Sequence, residues 1–288
     1  MNCKIKSLSK DSHEISFKVP RTGWEKWFLL GSDRHHDNAH TDWELEKKHL
    51  GQAIERNAGI LDFGDLFCAM QGKYDFRSDT AQCRPEHKEG RYLDALVETA
   101  ADFYKQFADN WLFLSPGNHE TSILKRHETD LSERFAEHLG RSKRGHPVVG
   151  AYCGYVRFKA SRKDHNSSLG SLILYYHHGY GGGGPVTRGV IQTNRMGVYL
   201  PDAQVVVSGH THDSWVMPVS RSRLNRSGKT YLDRQTHIRI PGYKDEFTGG
   251  DGWHNHRGGP PKPNGAYWLR LFHNGETDEM DYEVLEAR

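Results

Sequence analysis

The chain has 288 residues, a length that fits one large domain or two small ones. Its 39 Lys and Arg residues nearly balance 37 Asp and Glu residues, so the net charge of +2 gives no reason to expect binding to nucleic acid or membranes through overall charge. Histidine is over-represented, with 19 residues, and it is both the commonest metal ligand and the usual acid or base near neutral pH.

The cysteines and the apolar stretches indicate a cytoplasmic protein. Cys3, Cys68, Cys83 and Cys153 form no Cys-x-x-Cys pair, so they are expected to be reduced thiols rather than a disulfide framework. No apolar stretch approaches the roughly 20 residues needed to cross a bilayer, and the N-terminal residues lack the apolar core of a signal peptide. We therefore predict a cytoplasmic protein with no membrane partner.

Hydrophobic periodicity predicts alternating strands and helices in the first half of the chain. Strands are predicted at 15–19, as an edge strand, at 27–31, at 59–63, and from 111 to the turn at Pro116. Helices are predicted at 43–58, 91–109 and 121–139, the last of them interrupted. Alternation of strands and helices is typical of an α/β fold with a parallel sheet.

The second half is predicted to be mostly β-structure. Its predicted strands are 152–159, 169–176, 204–207, 214–220, 230–240, 266–272 and 280–285, with one helix at 186–200. We see no internal repeat and no linker, so we predict one domain over residues 1–288. An insertion near 66–90, whose length is typical of a functional segment, and a Gly/Pro-rich loop near 249–264 belong to this domain.

Five of the predicted strands end in polar residues that can bind a metal ion. They are Asp33 with His35, Asp65, Asn118 with His119, His177 or His178, and His210 with His212. Active sites in open α/β sheets lie outside the carboxyl ends of the strands, so these side chains are expected to meet. Residues spaced i, i+2 share one face of an extended chain. The oxygen and imidazole donors suit Mn, Fe or Zn better than a thiolate site would.

The order of these motifs resembles the calcineurin-like metallophosphoesterase superfamily. The motifs are Asp33-x-His35, Gly64-Asp65, Gly117-Asn118-His119-Glu120, His178 and Gly209-His210-Thr211-His212. Five motifs in the family's order are far more specific than any one of them. Segments 64–67 and 118–122 also look similar to phage-encoded members. The Ser/Thr protein phosphatase branch fits less well, because it has Asp-Arg-Gly after its Gly-Asp motif and this chain has Leu-Phe-Cys-Ala.

The resemblance implies a four-layer α/β/β/α sandwich with a two-metal site. The implied ligands are Asp33, His35 and His212 for one metal, Asn118, His178 and His210 for the other, and Asp65 as a bridge between both. His178 is preferred to His177 because family members with a His-Gly sequence here use the histidine before glycine. The implied cofactors are two divalent ions, with Mn²⁺ favoured and Fe, Zn or Ni as alternatives.

The resemblance also implies how the reaction proceeds. Two metals roughly 3.5–4 Å apart can share a hydroxide that attacks phosphorus, and they can stabilise an in-line displacement. Asp65 and His119 are the implied catalytic residues. His119 would sit beside the scissile bond, where it would stabilise the developing charge or protonate the leaving alkoxide. Glu120 is expected to support the site as a hydrogen-bond acceptor rather than to act as a catalyst.

Three residues near the motifs are predicted to contact the substrate: Arg34, His36 and Arg188. Arg34 and His36 make the surroundings of the first motif unusually polar. Arg188 follows a glycine run at 181–184, which either forms a backbone nest for phosphate or is a flexible loop.

Together these features predict a metal-dependent phosphoester hydrolase, leaning towards phosphodiester bonds of nucleotides or nucleic acid. A DNA or RNA nuclease of the break-repair type and a phosphomonoesterase are alternatives that use the same chemistry. A binding scaffold that has lost catalysis is an alternative from a different class. Such scaffolds usually lose ligands or the histidine of the third motif, whereas this chain keeps His119 and every ligand position.

Overall fold

A computed structural model of the chain describes residues 3–69, 79–88, 90–141, 146–163, 167–182, 184, 186–249, 253–256 and 258–288. In chain order, the strands are β1 (Cys3–Ser9), β2 (Ser12–Val19), β3 (Glu25–Gly31), β4 (Gly59–Asp62), β5 (Trp111–Leu114), β6 (Val148–Val149), β7 (Cys153–Arg162), β8 (Ser168–His177), β9 (Val205–Ser208), β10 (Trp215–Leu224), β11 (Thr230–Arg239), β12 (Tyr267–Asn274) and β13 (Glu279–Glu286). The α-helices are α1 (Trp43–Glu55), α2 (Tyr92–Tyr104), α3 (Asn118–His127), α4 (Leu131–Gly140), α5 (Val190–Tyr199) and α6 (Trp253–His256).

In the part of the chain that the structure describes, the strands form two mixed sheets. The larger sheet has the order β1-β2-β7-β8-β9-β11-β10, and the smaller sheet has the order β13-β12-β3-β4-β5-β6. In the smaller sheet β3, β4, β5 and β6 run parallel, whereas β12 runs antiparallel to β3 and β13. The predicted parallel sheet is therefore only part of a mixed α/β fold, because a strand from near the end of the chain pairs beside β3.

Alternation along β3 shows how its sequence serves two sides of the smaller sheet. Leu29 packs towards the helices, whereas Phe28 and Leu30 pack towards the larger sheet, as expected for side chains that alternate between faces.

The helix α1 starts after Asp42, whose carboxylate accepts a hydrogen bond from the Leu45 N–H at 3.0 Å and so caps the helix.

Among the described residues, three groups of buried apolar side chains hold these elements together. The first lies between the smaller sheet and helices α1, α2 and α4, and includes Leu50, Leu96, Trp111, Phe135 and Leu139. The second, which we call the inter-sheet core, lies between the two sheets and includes Phe28, Leu61, Phe113, Phe158, Leu174, Val207 and Ile238. The third packs α5 on the larger sheet through Met196, Leu200 and Val206. Burial between the two sheets fixes how their strand ends face one another.

Most elements lie where periodicity predicts them, with one informative difference. The strand predicted at 15–19 lies inside β2 and is not an edge, because β1 pairs along its outer side. The mostly exposed side chains of β1 give no hydrophobic signal. The interrupted helix predicted at 121–139 corresponds to α3 and α4, which are separated because Glu128 adopts a left-handed conformation and Asp130 caps the second helix.

Parts of two predicted segments lie outside the described residues. They are residues 70–78 and 89 of the insertion near 66–90, and residues 250–252 and 257 of the loop near 249–264. Within the described part of the chain, no helix has both the length and the apolar character needed to cross a membrane.

Candidate metal centre

The carboxyl ends of five strands meet at the same end of the two sheets. Strands β3, β4 and β5 are parallel neighbours in the smaller sheet, and β8 and β9 are parallel neighbours in the larger one. The Asp33 N–H donates to the Gly64 carbonyl at 2.8 Å, which joins the loops after β3 and β4. The Gly209 N–H donates to the His178 carbonyl at 2.8 Å, which joins the loops after β8 and β9. Residues far apart in sequence therefore become neighbours.

The first metal-capable group, here called the first group, consists of Asp33, His35 and His212. Their donor atoms lie within 4.8 Å of one another. The two histidine Nε2 atoms are 3.2 Å apart, and His212 Nε2 lies 3.4 Å from Asp33 Oδ1. Both Nδ1 atoms are buried and have no hydrogen-bond partner among the described residues. Buried nitrogen and oxygen atoms at these separations match the donor set of a divalent cation.

The second group consists of Asp65, His178 and His210, and again the donor atoms lie within 4.8 Å of one another. Asp65 Oδ2 lies 3.1 Å from His178 Nε2. The amide oxygen of Asn118 lies 3.1 Å from His178 Nε2 and 2.7 Å from His210 Nδ1. His178 Nδ1 lies 2.9 Å from the Phe63 carbonyl and donates to it, which leaves Nε2 facing the group.

His178, and not His177, lies among these donors. His178 is fully buried, whereas His177 is half-buried and accepts a hydrogen bond at Nδ1 from the Gly179 N–H at 2.9 Å. The ring of His177 packs against Tyr152 and Tyr180, with centroids 5.4 and 5.6 Å away. Neighbouring residues at a strand end point in opposite directions, so only one of the two reaches the site.

Backbone strain is concentrated at these positions. Residues Asp33, His35, Asp65, His210 and His212 have φ values of 51°, 46°, 54°, 71° and 54°. Each lies in the left-handed region, which costs a non-glycine residue roughly 1–3 kcal/mol and persists only where the surrounding structure enforces it. The strained backbone therefore lowers the stability of the fold and orients these side chains towards the same site.

Two motif glycines are needed because the backbone passes very close to the donors. A Cβ added to Gly117 would overlap the carboxylate of Asp65, and one added to Gly209 would overlap that of Asp33. Any other residue at either position would displace a carboxylate from the site.

The site holds opposite charges in a buried environment when no metal is bound. Burial opposes ionisation of Asp33 and Asp65, but the neighbouring imidazoles outweigh this effect and lower the pKa of both carboxyls. Burial also disfavours the charged form of His178, but the Asp65 carboxylate raises the pKa of this imidazole to about 10. Burial and the neighbouring imidazoles lower the pKa of His35 well below its usual value. A metal ion that binds here must therefore displace the proton of His178.

His119 lies beside the second group and is oriented by the backbone. Its Nδ1 lies 2.5 Å from the Cys68 carbonyl, and because a carbonyl only accepts, Nδ1 carries the proton. Its Nε2 lies 3.7 Å from Asp65 Oδ2, and its ring packs edge-on against His35 at 5.0 Å. The partly exposed imidazole therefore presents Nε2 at the edge of the site.

Glu120 supports the loops from within. Its carboxylate accepts hydrogen bonds from the N–H groups of Asp65, Phe67 and Gly117 at 3.1, 2.8 and 2.7 Å. Burial and the nearby Asp65 carboxylate raise the pKa of Glu120 to about 8, although the backbone donors oppose this change. Glu120 is thus placed to hold the loops after β4 and β5 together rather than to reach a substrate.

The predicted substrate contacts at Arg34 and His36 are wrong, because both side chains are buried. Arg34 is 0% exposed and pairs with two buried carboxylates. His36 is 1% exposed, and its ring stacks on Trp43 at 5.0 Å with an interplanar angle of 11°. Burial lowers the pKa of His36 well below its usual value, so it is neutral. Arg188 is exposed, and its carbonyl accepts a hydrogen bond from Trp215 Nε1 at 3.1 Å. Its contact with the substrate stays a prediction.

Sequence reasoning missed two contributors to this region. Cys68 lies with His35 and His119 in a third set of closely spaced donor atoms, but burial raises the pKa of its thiol to about 12 and keeps it protonated. The feature of the sequence that could have identified Cys68 is its position three residues after Asp65. Lys262, from the Gly/Pro-rich loop, pairs with Asp213 at 2.6 Å and fastens this loop beside the last motif.

No protein-family model matches the chain, and no curated protein matches it. Among solved structures, the chain matches a conserved uncharacterized protein and predicted phosphoesterase from Streptococcus pneumoniae TIGR4 at 9% identity, over 92% of this chain and 100% of that one, with a TM-score of 0.33. It matches GAP50, the anchor in the inner membrane complex of Plasmodium, at 9% identity, over 92% and 85%, with a TM-score of 0.44. Vps29 of Chaetomium thermophilum matches at 8% identity, over 91% and 95%, with a TM-score of 0.37.

Proposed function

We propose that this chain is a two-metal phosphoester hydrolase of the calcineurin-like type, acting on phosphodiester bonds of nucleotides or nucleic acid. Its fold would be a four-layer α/β/β/α sandwich formed by one domain over residues 1–288. The observation that carries the proposal is the contact between the two donor groups. Asp33 of the first group accepts a hydrogen bond from the His210 N–H of the second at 2.8 Å.

The donor set fits two divalent ions. The first ion would be held by Asp33, His35 and His212, and the second by His178, His210 and the amide oxygen of Asn118. Asp65 would bridge them, since a carboxylate has two oxygens to offer. Carboxylate, amide and imidazole donors favour Mn²⁺, with Fe, Zn or Ni as alternatives. When bound, such a pair supplies an activated water and neutralises charge on the phosphoryl group.

Two side chains of the protein would support the reaction: His119 would transfer a proton, and Glu120 would hold the loops of the site. His119 has its Nδ1 proton fixed by the Cys68 carbonyl, so its Nε2 is the atom that would serve the substrate. A protonated Nε2 at the edge of the site would donate to the leaving alkoxide of a diester. Glu120 would keep the loops of Asp65 and Asn118 at a constant separation through its backbone hydrogen bonds.

The test starts from metal-free protein prepared by chelation. Mn²⁺, Zn²⁺, Fe²⁺, Ni²⁺ and Mg²⁺ are each added back, metal content is measured by elemental analysis, and hydrolysis of bis-p-nitrophenyl phosphate is followed. We expect about two ions per chain and turnover that depends on them. Folded protein that hydrolyses no phosphoester with any of these ions would refute the proposal. Folded protein that binds less than one ion per chain would instead indicate a silent scaffold.

Substrate panels separate the enzyme classes that share this chemistry. Mononucleotides, cyclic nucleotides, single- and double-stranded DNA and RNA are compared under the best metal condition. A preference for p-nitrophenyl phosphate over its diester would indicate a phosphomonoesterase. His119→Asn is the matched variant, because it keeps a polar side chain without a group that can donate a proton at neutral pH. We expect it to slow diester hydrolysis by about 10²–10⁴-fold while the metal content stays unchanged.

A further inference from the structure

A buried polar network holds the side chain of Arg34, which lies between Asp33 and His35 in the first motif. Its Nε donates to Asp62 Oδ2 at 2.5 Å, and its Nη1 donates to Glu46 Oε1 at 2.6 Å. All three charged side chains are fully buried. Since Asp62 ends β4 and Glu46 lies in α1, the guanidinium ties the loop after β3 to two neighbouring elements.

Packing keeps this guanidinium in one position. Its central carbon lies 5.0 Å from the centre of the Trp111 ring, a favourable separation for a cation over an aromatic face. The Tyr104 hydroxyl donates to Glu46 Oε1 at 2.6 Å and orients that carboxylate. On the strand side, a Cβ added to Gly31 would overlap the Nη2 atom of Arg34, so glycine is required for this arrangement.

The residues on either side of Arg34 have strained backbones that need an anchor. Asp33 and His35 have φ values of 51° and 46°, conformations that L residues rarely adopt without support. We propose that Arg34 is a positioning residue, whose buried ion pairs with Asp62 and Glu46 hold Asp33 and His35 in the orientation that binds the first metal ion. The side chain lies against Trp111 and Glu46, while Asp33 and His35 lie among the donors of the first group.

This inference rests on the proposed metal centre. The alternative is that the ion pairs of Arg34 stabilise the fold and have no effect on metal binding. A folding role lowers stability when the network is disturbed but leaves the metal affinity of the folded protein unchanged. A positioning role lowers the affinity for the ion held by Asp33, His35 and His212. The affinity for the ion held by the second group then changes less, so the two binding events respond differently.

The experiment is a titration of the metal-free, full-length protein with MnCl₂ by calorimetry, with thermal unfolding measured on the same samples. Arg34→Lys keeps the charge but cannot reach two carboxylates with a planar fork. Gly31→Ala keeps Arg34 and pushes its guanidinium away. Both variants should weaken one of the two binding events by about 10–100-fold, the range seen when residues that orient metal ligands are lost. High Mn²⁺ should restore turnover in both.

Arg270→Lys is the matched control. Arg270 on β12 also bridges two carboxylates, through Nε to Glu25 at 2.8 Å and through Nη1 to Glu283 at 2.6 Å. It pairs in register with Trp27 near the start of β3, at the end of the strand away from the metal centre. We expect this variant to keep both Mn²⁺ affinities.

The outcomes separate the two proposals. Wild-type protein that binds no Mn²⁺ would overturn the proposed function. Wild-type Mn²⁺ affinities in folded Arg34→Lys and Gly31→Ala would overturn the positioning role alone. If Arg34→Lys does not fold, Gly31→Ala and Glu46→Gln decide by the same titration, because both retain the arginine.

Discussion

The two sheets contribute different chemistry to the candidate metal centre. The smaller sheet supplies the oxygen donors of Asp33, Asp65 and Asn118, with His35 as its one imidazole among the proposed ligands. The larger sheet supplies imidazoles alone, from His178, His210 and His212. Neither sheet holds a complete group, because the first takes His212 from the larger sheet and the second takes Asp65 from the smaller one. The site therefore depends on how the sheets pack, as much as on the motifs themselves.

Removing one donor from either sheet should have the largest effect. Asp65→Asn on the smaller sheet and His210→Gln on the larger one each remove a proposed ligand with little change in volume. Because metal stabilisation of the transition state is worth several kcal/mol, we expect turnover to fall by about 10³-fold or more in both. Diester hydrolysis at saturating Mn²⁺ measures this. Wild-type rates in either variant would show that the site is misplaced.

The ion pair between Asp65 and His178 crosses from one sheet to the other and should make metal-free stability depend on pH. The pKa of His178 rises from 6.5 to about 10 on folding, so its contribution is fully present below pH 6.5 and is lost as the pH rises through 10. We expect the unfolding temperature of metal-free protein to fall across this window. Mn²⁺ should reverse the slope, because the ion competes with the proton.

Thermal unfolding from pH 6.5 to pH 10, with and without Mn²⁺, measures this dependence. His178→Gln is the control, since it cannot be protonated and should remove this part of the slope. A slope that is the same in His178→Gln and wild-type protein would show that the cross-sheet pair does not form.

The smallest expected effect on metal binding comes from cavities in the core. Two such variants compare packing between the sheets with packing under the helices. Leu174→Ala opens a cavity in the inter-sheet core, and Leu139→Ala opens one beneath α4; both side chains are fully buried. Each should cost about 2–5 kcal/mol of stability. Only Leu174→Ala should also weaken Mn²⁺ binding, by about tenfold, because it lets the two halves of each group shift.

Urea unfolding and Mn²⁺ titration of both leucine variants provide the comparison. Equal loss of metal affinity in the two variants would mean that global stability, rather than the packing of the two sheets, controls the site.

The sequence predicted the local elements well where hydrophobic periodicity was strong. The apolar runs of β3, β5 and β9 and the amphipathic helix α2 lie close to their predicted positions. It failed where an element gives no hydrophobic signal and where a charged side chain is buried. The exposed strand β1 was missed, and Arg34 and His36 were assigned to the substrate because charged residues beside a motif usually face solvent. Only the folded chain surrounds them with Glu46, Asp62 and Trp43.

What the sequence determined by itself is the set of chemical groups and their order along the chain. Spacing and turn residues identify which side chains follow the strands, because strand periodicity and turns are local properties. The grouping of the donors and the preference for His178 came from the family resemblance and not from any local pattern, and only tertiary structure shows that His178 faces Asn118 and that Arg34 is buried in the core. These outcomes depend on the pairing of strands and the packing of helices and sheets, which bring together residues from 12 to 177 positions apart, such as Arg34 with Glu46 and His35 with His212. No local pattern carries that information.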